Sequence, residues 1–324
     1  MDISNELAIG IDIGGTNTKY GVVNHRGEIL QQGELRTDQY PKIELFIDAL
    51  YNILEPVINS VKKTNIHGIG IGAPNGNYYN GTIEYAPNLQ WRGIIPLAKM
   101  ISNRFGLPAA LTNDANAAAV GEMIYGAARG MKDFIMITLG TGVGSGIVAN
   151  GQLILGHDGF AGELGHTIIV PGGRLHEGTG MRGSLEVYAS ATGVAKTAVE
   201  MLEENMNEKS LLRNTSDKIT SKTVYECAMK GDSIAKSVYD FTGKILGEAL
   251  ANFVMFSSPE AIILFGGLTR AGDMIINPTR EHMEKNLLPI FQNKVKLIFS
   301  ELKESDAAIL GASALVWEIK SDIQ

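Results

Sequence analysis

Residues 7–19 run LAIGIDIGGTNTK, and they divide into a strand, a glycine turn and the start of a second strand. Leu7–Ile13 is a hydrophobic run, the pattern of a buried strand. Gly14-Gly15-Thr16 follows, and the next strand begins near Lys19. Two glycines at a strand end let the backbone turn tightly and come close to a ligand, while Thr16 and Thr18 add hydroxyl donors. Successive N–H groups in such a turn form an anion-binding concavity. Asp12, leaving the strand just ahead of the turn, is placed to hold a metal ion and its waters against that anion. The spacing is not G-x-x-x-x-G-K-[ST], and it is not G-x-G-x-x-G opening a helix, so a Walker loop and a dinucleotide fold are both disfavoured.

The same arrangement recurs at Phe134–Leu155. An apolar strand (Phe134–Leu139) runs into Gly140-Thr141-Gly142-Val143-Gly144-Ser145-Gly146 and a further apolar strand. Beyond the loops, Gly21–Leu30 lines up with Gly146–Leu155. A repeated strand–loop–strand–turn–strand unit, opening each half of the chain, predicts two similar domains facing a shared cleft. Two anion-cradling loops on opposite walls suit a ligand with several phosphates.

A chain of 324 residues, 44% hydrophobic, can build two cores. The net charge of −7 and the scattered Lys and Arg leave no nucleic-acid footprint. A single cysteine, Cys227, excludes a disulfide framework within the chain and fits a reducing compartment. No basic leader with an apolar core and no 18-residue apolar run is present, so no membrane partner and a cytoplasmic setting are expected.

In chain order, Pro41 introduces a helix with apolar Ile43, Phe46, Leu50, Leu54 and Val57. Ile66–Ile71 is a short buried strand, and Ala86–Trp91 is a structured loop. Leu97–Phe105 is helical, and a short strand follows Pro108. Thr112-Asn113-Asp114 then opens an alanine-rich helix. One of Asn113 and Asp114 suffices to cap that helix. The other is left for a ligand, and Asp114 is the candidate base, since an aspartate can take the proton of a hydroxyl attacking phosphorus.

GFAGELGHT, residues 159–167, sets Glu163 and His166 three residues apart between glycines. Such a pair can bind sugar hydroxyls, hold a metal or close a helix end. His157, His166 and His176 raise the question of zinc, but no cysteine lies in this region. Asn207–Lys218 is a polar connector, and a long amphipathic helix spans Ile234 to Phe253. Ala261–Phe265 is a buried strand running into Gly266-Gly267, a pair suited to packing against a flat ligand. Val295–Phe299 adds a late strand, and Asp306–Trp317 is a helix with small residues on one side.

Taken together, DIGGT, TNDANAA, LGTGVGSG, GELGH and FGG, in this order, resemble the ROK family (repressors, open reading frames and kinases) of the actin–hexokinase–heat-shock ATPase superfamily. The resemblance spans nearly the whole chain. It implies an α/β, two-domain actin-like ATPase (ribonuclease H-like) fold with mixed sheets and ATP in the interdomain cleft. The small domain would comprise residues 1–116 completed by a C-terminal helix at 305–320, and the large domain 117–304. It further implies one phosphate loop at Asp12, Gly14, Gly15, Thr16, Thr18 and Lys19, and a second at Gly140, Thr141, Gly142 and Gly144. Gly266 and Gly267 would border the adenosine, and Asp12 would place Mg²⁺, through water. Asp114 matches the family's catalytic base. Asn88, Asn113, Asp114, Glu163, His166 and Glu186 match its hexose-binding positions.

One departure stands out. Many family members follow the GELGH-type histidine with a CxCGxxGC segment, and that histidine with three cysteines binds structural zinc. Here Glu177, Thr179 and Ser184 occupy the cysteine positions, which predicts a protein without structural zinc. In place of the metal, Arg174 is expected to pair with Glu177, and Thr179 and Ser184 to satisfy local backbone groups. The implied activity is ATP-dependent phosphorylation of a hexose at the 6-hydroxyl, glucose first and an N-acetylhexosamine as the alternative, by a homodimer or dimer of dimers. A sugar-responsive regulator is the competing class. It is disfavoured because only Met1–Glu6 precede the first strand and no basic module is present.

Overall fold

The computed structural model describes residues 6–215 and 218–319. Part of the Met1–Glu6 segment, part of the 207–218 connector and the last residue of the 305–320 helix lie outside the described residues. Two compact units are present. Unit 1 comprises Met1–Met131, Leu153–Gly162 and Glu301–Gln324, and unit 2 comprises Lys132–Gln152 and Glu163–Ser300.

Unit 1 begins with β1 (Leu7–Ile13), β2 (Asn17–Asn24) and β3 (Ile29–Arg36), an antiparallel meander. Next come α1 (Ile43–Val61), β4 (Ile66–Gly72), the small strands β5 (Gly76–Asn77), β6 (Thr82–Glu84) and β7 (Ile94–Ile95), and α2 (Leu97–Phe105). β8 (Ala109–Thr112) then leads into α3 (Asp114–Tyr125). The sheet order is β3-β2-β1-β4-β8, with β1, β4 and β8 parallel. The helical period of α1 buries Phe46, Ile47, Leu50, Leu54, Val57 and Ile58 against this sheet, each contributing about 1.5–3 kcal/mol.

Unit 2 repeats the plan. Its strands are β9 (Phe134–Leu139), β10 (Val143–Ala149) and β11 (Gln152–Leu153). Helices α4 (Glu186–Ala189), α5 (Ala191–Glu204), α6 (Ser221–Met229) and α7 (Ser233–Ser257) come next, followed by β12 (Ala261–Phe265), α8 (Asp273–Lys285) and β13 (Lys296–Phe299). The order β11-β10-β9-β12-β13 matches unit 1 strand for strand, with the same antiparallel meander beside parallel neighbours. The sequence repeat is therefore a topological repeat. Its core packs Ile135, Ile137 and Leu139 against α5 and α7, where Tyr239 is buried.

The last helix, α9 (Ala307–Ile319), packs in unit 1 on α3, β1 and β4. The structure does not divide at 116/117, as the sequence led us to expect. That boundary falls inside α3, which lies against α9 through Gly121 and Gly311, so the unit runs on to Met131. Residues 153–162 also belong to unit 1. Buried Asn77 donates to the Asp158 carbonyl at 2.8 Å, and the Tyr79 hydroxyl donates to the Gly156 carbonyl at 2.9 Å.

Candidate active site

In unit 1 the strand ends come into line. Register pairs Asp12 with Gly72, and Gly72 with Thr112, so β1, β4 and β8 finish side by side just before Asn113 and Asp114. A Cβ on Gly72 would lie 3.5 Å from Asp12 Oδ1 and 3.7 Å from the Asp114 Cα. The nearest atom to such a Cβ is the Cβ of Ala117, at 3.4 Å, so Gly72 sits where the ends of β1 and β4 meet the start of α3, a role the sequence did not disclose.

The choice between Asn113 and Asp114 is resolved by hydrogen bonding. Asn113 is the cap, its Oδ1 accepting from the N–H groups of Ala115 at 2.7 Å and Asn116 at 3.4 Å. Asp114 is the first residue of α3. Its Oδ1 accepts from Ala115 N–H at 2.8 Å, and its side chain stays solvent-accessible. The protein surrounding Asp114 nevertheless desolvates the carboxylate and raises its pKa, against the lowering effect of the Ala115 N–H.

Desolvation, then the Asp114 charge, pushes the Asp12 pKa up to about 6 from 3.8, with Lys19 across the β1–β2 pair opposing the rise. The folded protein thus holds a proton between these two values that the unfolded chain releases. Stability from this group is full below pH 3.8 and is lost as pH rises through about 6. The variant Asp12→Asn is expected to gain on the parent in Mg²⁺-free buffer. The gain should reach at most about 3 kcal/mol at about pH 7.5 and be much smaller at about pH 4.5. Equal gains in urea titrations at both pH values would refute this sign.

The first glycine loop is closed by the Gly14 N–H to the Asn17 carbonyl at 3.0 Å, and the Thr16 carbonyl accepts from Thr37 N–H at 2.8 Å. Neither Gly14 nor Gly15 has a positive φ. Gly15 is needed for close approach, since a Cβ there would meet the Asn88 carbonyl oxygen at 2.4 Å. Asn88 is exposed on a loop fixed by buried Leu89 and Trp91, with the Trp91 indole donating to the Tyr40 carbonyl at 2.9 Å. Asn88 and the first loop are therefore adjacent. Thr18 corrects the sequence reading: strand alternation turns it inward, fully buried, with its hydroxyl 2.7 Å from that of Thr37. It anchors the loop, and Thr16 and Asn17 are the exposed side chains.

Unit 2 assembles its residues around Val143. In the second loop, the Gly140 N–H reaches the Gly142 carbonyl at 3.0 Å, Gly144 N–H donates to Thr138 Oγ1 at 3.1 Å, and Thr141 is exposed at the tip. The Val143 N–H donates to Glu186 Oε2 at 2.7 Å. The short turn carrying Glu163 and His166 packs against the Val143 carbonyl through Gly165, where a Cβ would come within 2.0 Å of that oxygen. Glu163 is exposed, with its Oε2 at 4.0 Å from His166 Nε2. Gly266, at φ +103°, abuts the Leu139 carbonyl, so the Gly266-Gly267 pair lies at the same edge as the second loop.

The region of the absent cysteines is held together differently from expectation. Arg174 does not pair with Glu177. Its guanidinium lies 4.6 Å from the Tyr188 ring centre, binds Glu200 through Nε at 3.0 Å and donates to Thr197 Oγ1 at 2.9 Å. Nε and Nη2 both reach the Glu200 carboxylate, the two-point geometry that makes arginine–carboxylate pairs strong. Thr179 does bond locally, but Ser184 Oγ is buried without a partner, as is His166 Nδ1. His157 belongs to unit 1, and His166 and His176 belong to unit 2. No group of three His, Cys, Asp or Glu side chains suited to a metal occurs among the described residues.

The paired sheets, the glycine loops at strand ends and the aspartate opening α3 define an actin-like ATPase fold. The ROK family model matches residues 8–319, and the chain belongs to the ROK family. It is 36% identical to the glucokinase of Halalkalibacterium halodurans over 99% of this chain and 98% of that one. It is also 30% identical to the xylose repressor of Bacillus spizizenii, over 98% of this chain and 78% of the repressor. The structure of a ROK family glucokinase from Streptomyces griseus in complex with glucose and AMPPNP superposes with a TM-score of 0.79. The two are 33% identical, with 96% of this chain and 99% of that chain covered.

Proposed function

We propose that the chain transfers the γ-phosphoryl group of ATP to the 6-hydroxyl of a hexose, with glucose as the sugar. The observation that carries this is Asp114: Asn113 does the main capping of α3, which leaves an accessible carboxylate with a raised pKa at the strand–helix edge beside Asp12. Full-length similarity to two glucokinases, one of them seen with glucose and an ATP analogue, supports both substrates.

In this mechanism Asp114 accepts the proton of the 6-hydroxyl as its oxygen attacks phosphorus, and a pKa above the usual carboxylate range suits a general base. The bonds that close each loop use the Gly14, Gly140, Val143 and Gly144 N–H groups, so the donors offered to phosphate oxygens are the backbone N–H groups of Gly15 and Thr16 in the first loop and of Thr141 and Gly142 in the second. Asn88, Asn113, Glu163, His166 and Glu186 hold the ring hydroxyls, and Gly266-Gly267 flank the adenosine. A divalent cation fits the donor set on unit 1, because two repelling carboxylates opposed by one lysine form a hard, electron-rich site. Asp12 would hold Mg²⁺ through water, and the ion would neutralise charge on the transferring phosphate. Zinc does not fit the 166–186 region, which offers Ser184, Thr179 and Glu177 in place of thiolates. Among the described residues no helix is long and apolar enough to cross a membrane. The buried single cysteine agrees with a cytoplasmic enzyme, and an even-numbered homo-oligomer is the common arrangement for such proteins.

A coupled ADP-release screen of hexoses and N-acetylhexosamines with Mg·ATP tests this reading. Glucose is expected to give the highest kcat/KM. Preference for an N-acetylhexosamine would overturn the sugar, and no ADP release with any sugar would overturn the activity. On the same tag-free preparation, zinc should be far below stoichiometric, and a chelator should leave activity unchanged once Mg²⁺ is restored. Light scattering at several concentrations that shows only single chains would remove the oligomer from this account.

A further inference from the structure

His176 occupies no position that the family resemblance makes a ligand, yet its ring is fully engaged. Nδ1 accepts from the Thr179 N–H at 3.0 Å and lies 2.9 Å from the Thr179 hydroxyl. A nitrogen accepting from a backbone N–H carries no proton, so the imidazole proton sits on Nε2. Nε2 lies 2.6 Å from Glu186 Oε1 and donates to it. The other carboxylate oxygen, Oε2, accepts from Val143 N–H at 2.7 Å. Glu186 is thus gripped at both oxygens, once from the second glycine loop and once from the 174–183 turn. Each oxygen keeps a further lone pair for another donor. Both side chains are largely buried, 21% and 17% exposed, so the bonds between them are shielded from water.

The turn that presents His176 is closed by its own hydrogen bonds. The His176 N–H donates to the Met181 carbonyl at 2.8 Å, and the His176 carbonyl accepts from Gly180 N–H at 2.8 Å. Gly183 N–H reaches the Arg174 carbonyl at 2.8 Å, and the Arg174 side chain ties the base of the turn to Glu200 and Thr197. The His176 ring also meets the His166 ring edge-on, with centroids 5.7 Å apart. Position, proton and orientation of the imidazole are all set before any ligand arrives.

We propose that His176 is a positioning residue for the sugar subsite: it donates Nε2–H to Glu186, fixes that carboxylate as a two-sided acceptor of sugar hydroxyls, and couples the 174–183 turn to it. This rests on the kinase reading above. A carboxylate held in one rotamer binds a diol without first losing side-chain freedom, so the contribution falls on sugar affinity rather than on ATP.

Steady-state kinetics of the full chain with Mg·ATP, on the parent, H176A and H176Q, tests the proposal. H176A should raise the sugar KM about 10–100-fold, the usual weight of a hydrogen bond to a charged group, with the ATP KM within about twofold of the parent. H176Q should recover most of the loss, because its amide can donate to Glu186 while its oxygen takes the Thr179 N–H. Should H176A fail to fold, H176F replaces it, retaining ring volume without either hydrogen bond, and the same rise in sugar KM is expected. In ¹⁵N-histidine-labelled parent, one ring should show the Nε2–H tautomer, and this signature should vanish in H176Q. A sugar KM within about twofold of the parent in H176A or H176F, or a protonated Nδ1 in the labelled ring, overturns the proposal while leaving the kinase reading standing. A parent inactive on every sugar overturns that reading, and this proposal with it.

Discussion

Asp114→Asn should lower turnover by roughly 10²–10⁴ with every accepted sugar, the usual weight of a general base. Asparagine keeps the shape of the side chain and an oxygen to accept the Ala115 N–H, so α3 retains its start. Asn113 continues to cap the helix in either case. The parent carboxylate is desolvated, and its folded pKa is raised. Ionised Asp114 therefore opposes folding above its ordinary pKa, and the variant should melt no lower than the parent at neutral pH. Sugar affinity from equilibrium titration should change little. In the parent, kcat/KM should fall as pH drops through the raised Asp114 pKa, and the residual activity of the variant should lack that limb. Turnover of Asp114→Asn within about twofold of the parent would remove Asp114 from the base role.

The separation of Asn113 and Asp114 was only half legible in the sequence. A strand-to-helix switch with two adjacent capping residues announces that one is spare, but which one depends on the bond each makes to Ala115 and Asn116. Local signals served well elsewhere for the same reason: apolar runs marked β1, β4, β9 and β12, and glycines marked their ends, in pairs after β1 and β12. The repeat announced the three-strand meander of each unit, while the parallel neighbours β4 and β8, and β12 and β13, lie outside it. What the sequence hid was long-range. Arg174 found Glu200 rather than Glu177 because the helix that presents Glu200 is brought there by folding. Residues 153–162 joined unit 1 through Asn77 and Tyr79, partners about eighty positions away. Thr18 looked like a ligand donor because a hydroxyl in a glycine loop has two possible faces, and only the register with β1 and β3 turns it inward. Gly72 and His176 carried no motif, and their importance lies in what stands beside them.

Gly70→Ala should cost unit 1 about 3 kcal/mol or more, the upper end of overpacking penalties. Gly21, Gly10 and Gly70 are paired in register across β2, β1 and β4, and together they make a smooth row on which α9 lies. A Cβ on Gly70 would fall 1.8 Å from the Ala312 carbonyl oxygen, and one on Gly10 would fall 2.1 Å from that of Ile309. These are backbone atoms within a helix, so no rotamer change relieves the clash. The helix must lift, and buried Ile309, Leu310, Leu315 and Val316 must lose their seats together. At Gly21 the nearest atoms are instead Ile309 Cγ2 at 2.8 Å and the Gln31 carbonyl oxygen at 3.0 Å, a smaller overlap than at Gly10 or Gly70 and not with the backbone of α9. Gly21→Ala is therefore expected to be the milder change. The sign makes the comparison decisive, since replacing a strand glycine by alanine otherwise stabilises by about 0.4–1 kcal/mol through the unfolded chain. Activity should fall with stability in Gly70→Ala, because Asp12 and Gly72 stand two residues beyond Gly10 and Gly70 on the displaced strands. Urea midpoints and amide exchange in β1 and β4 measure both effects. Gly70→Ala as stable as the parent, or no less stable than Gly21→Ala, would mean that α9 does not depend on the bare glycine row.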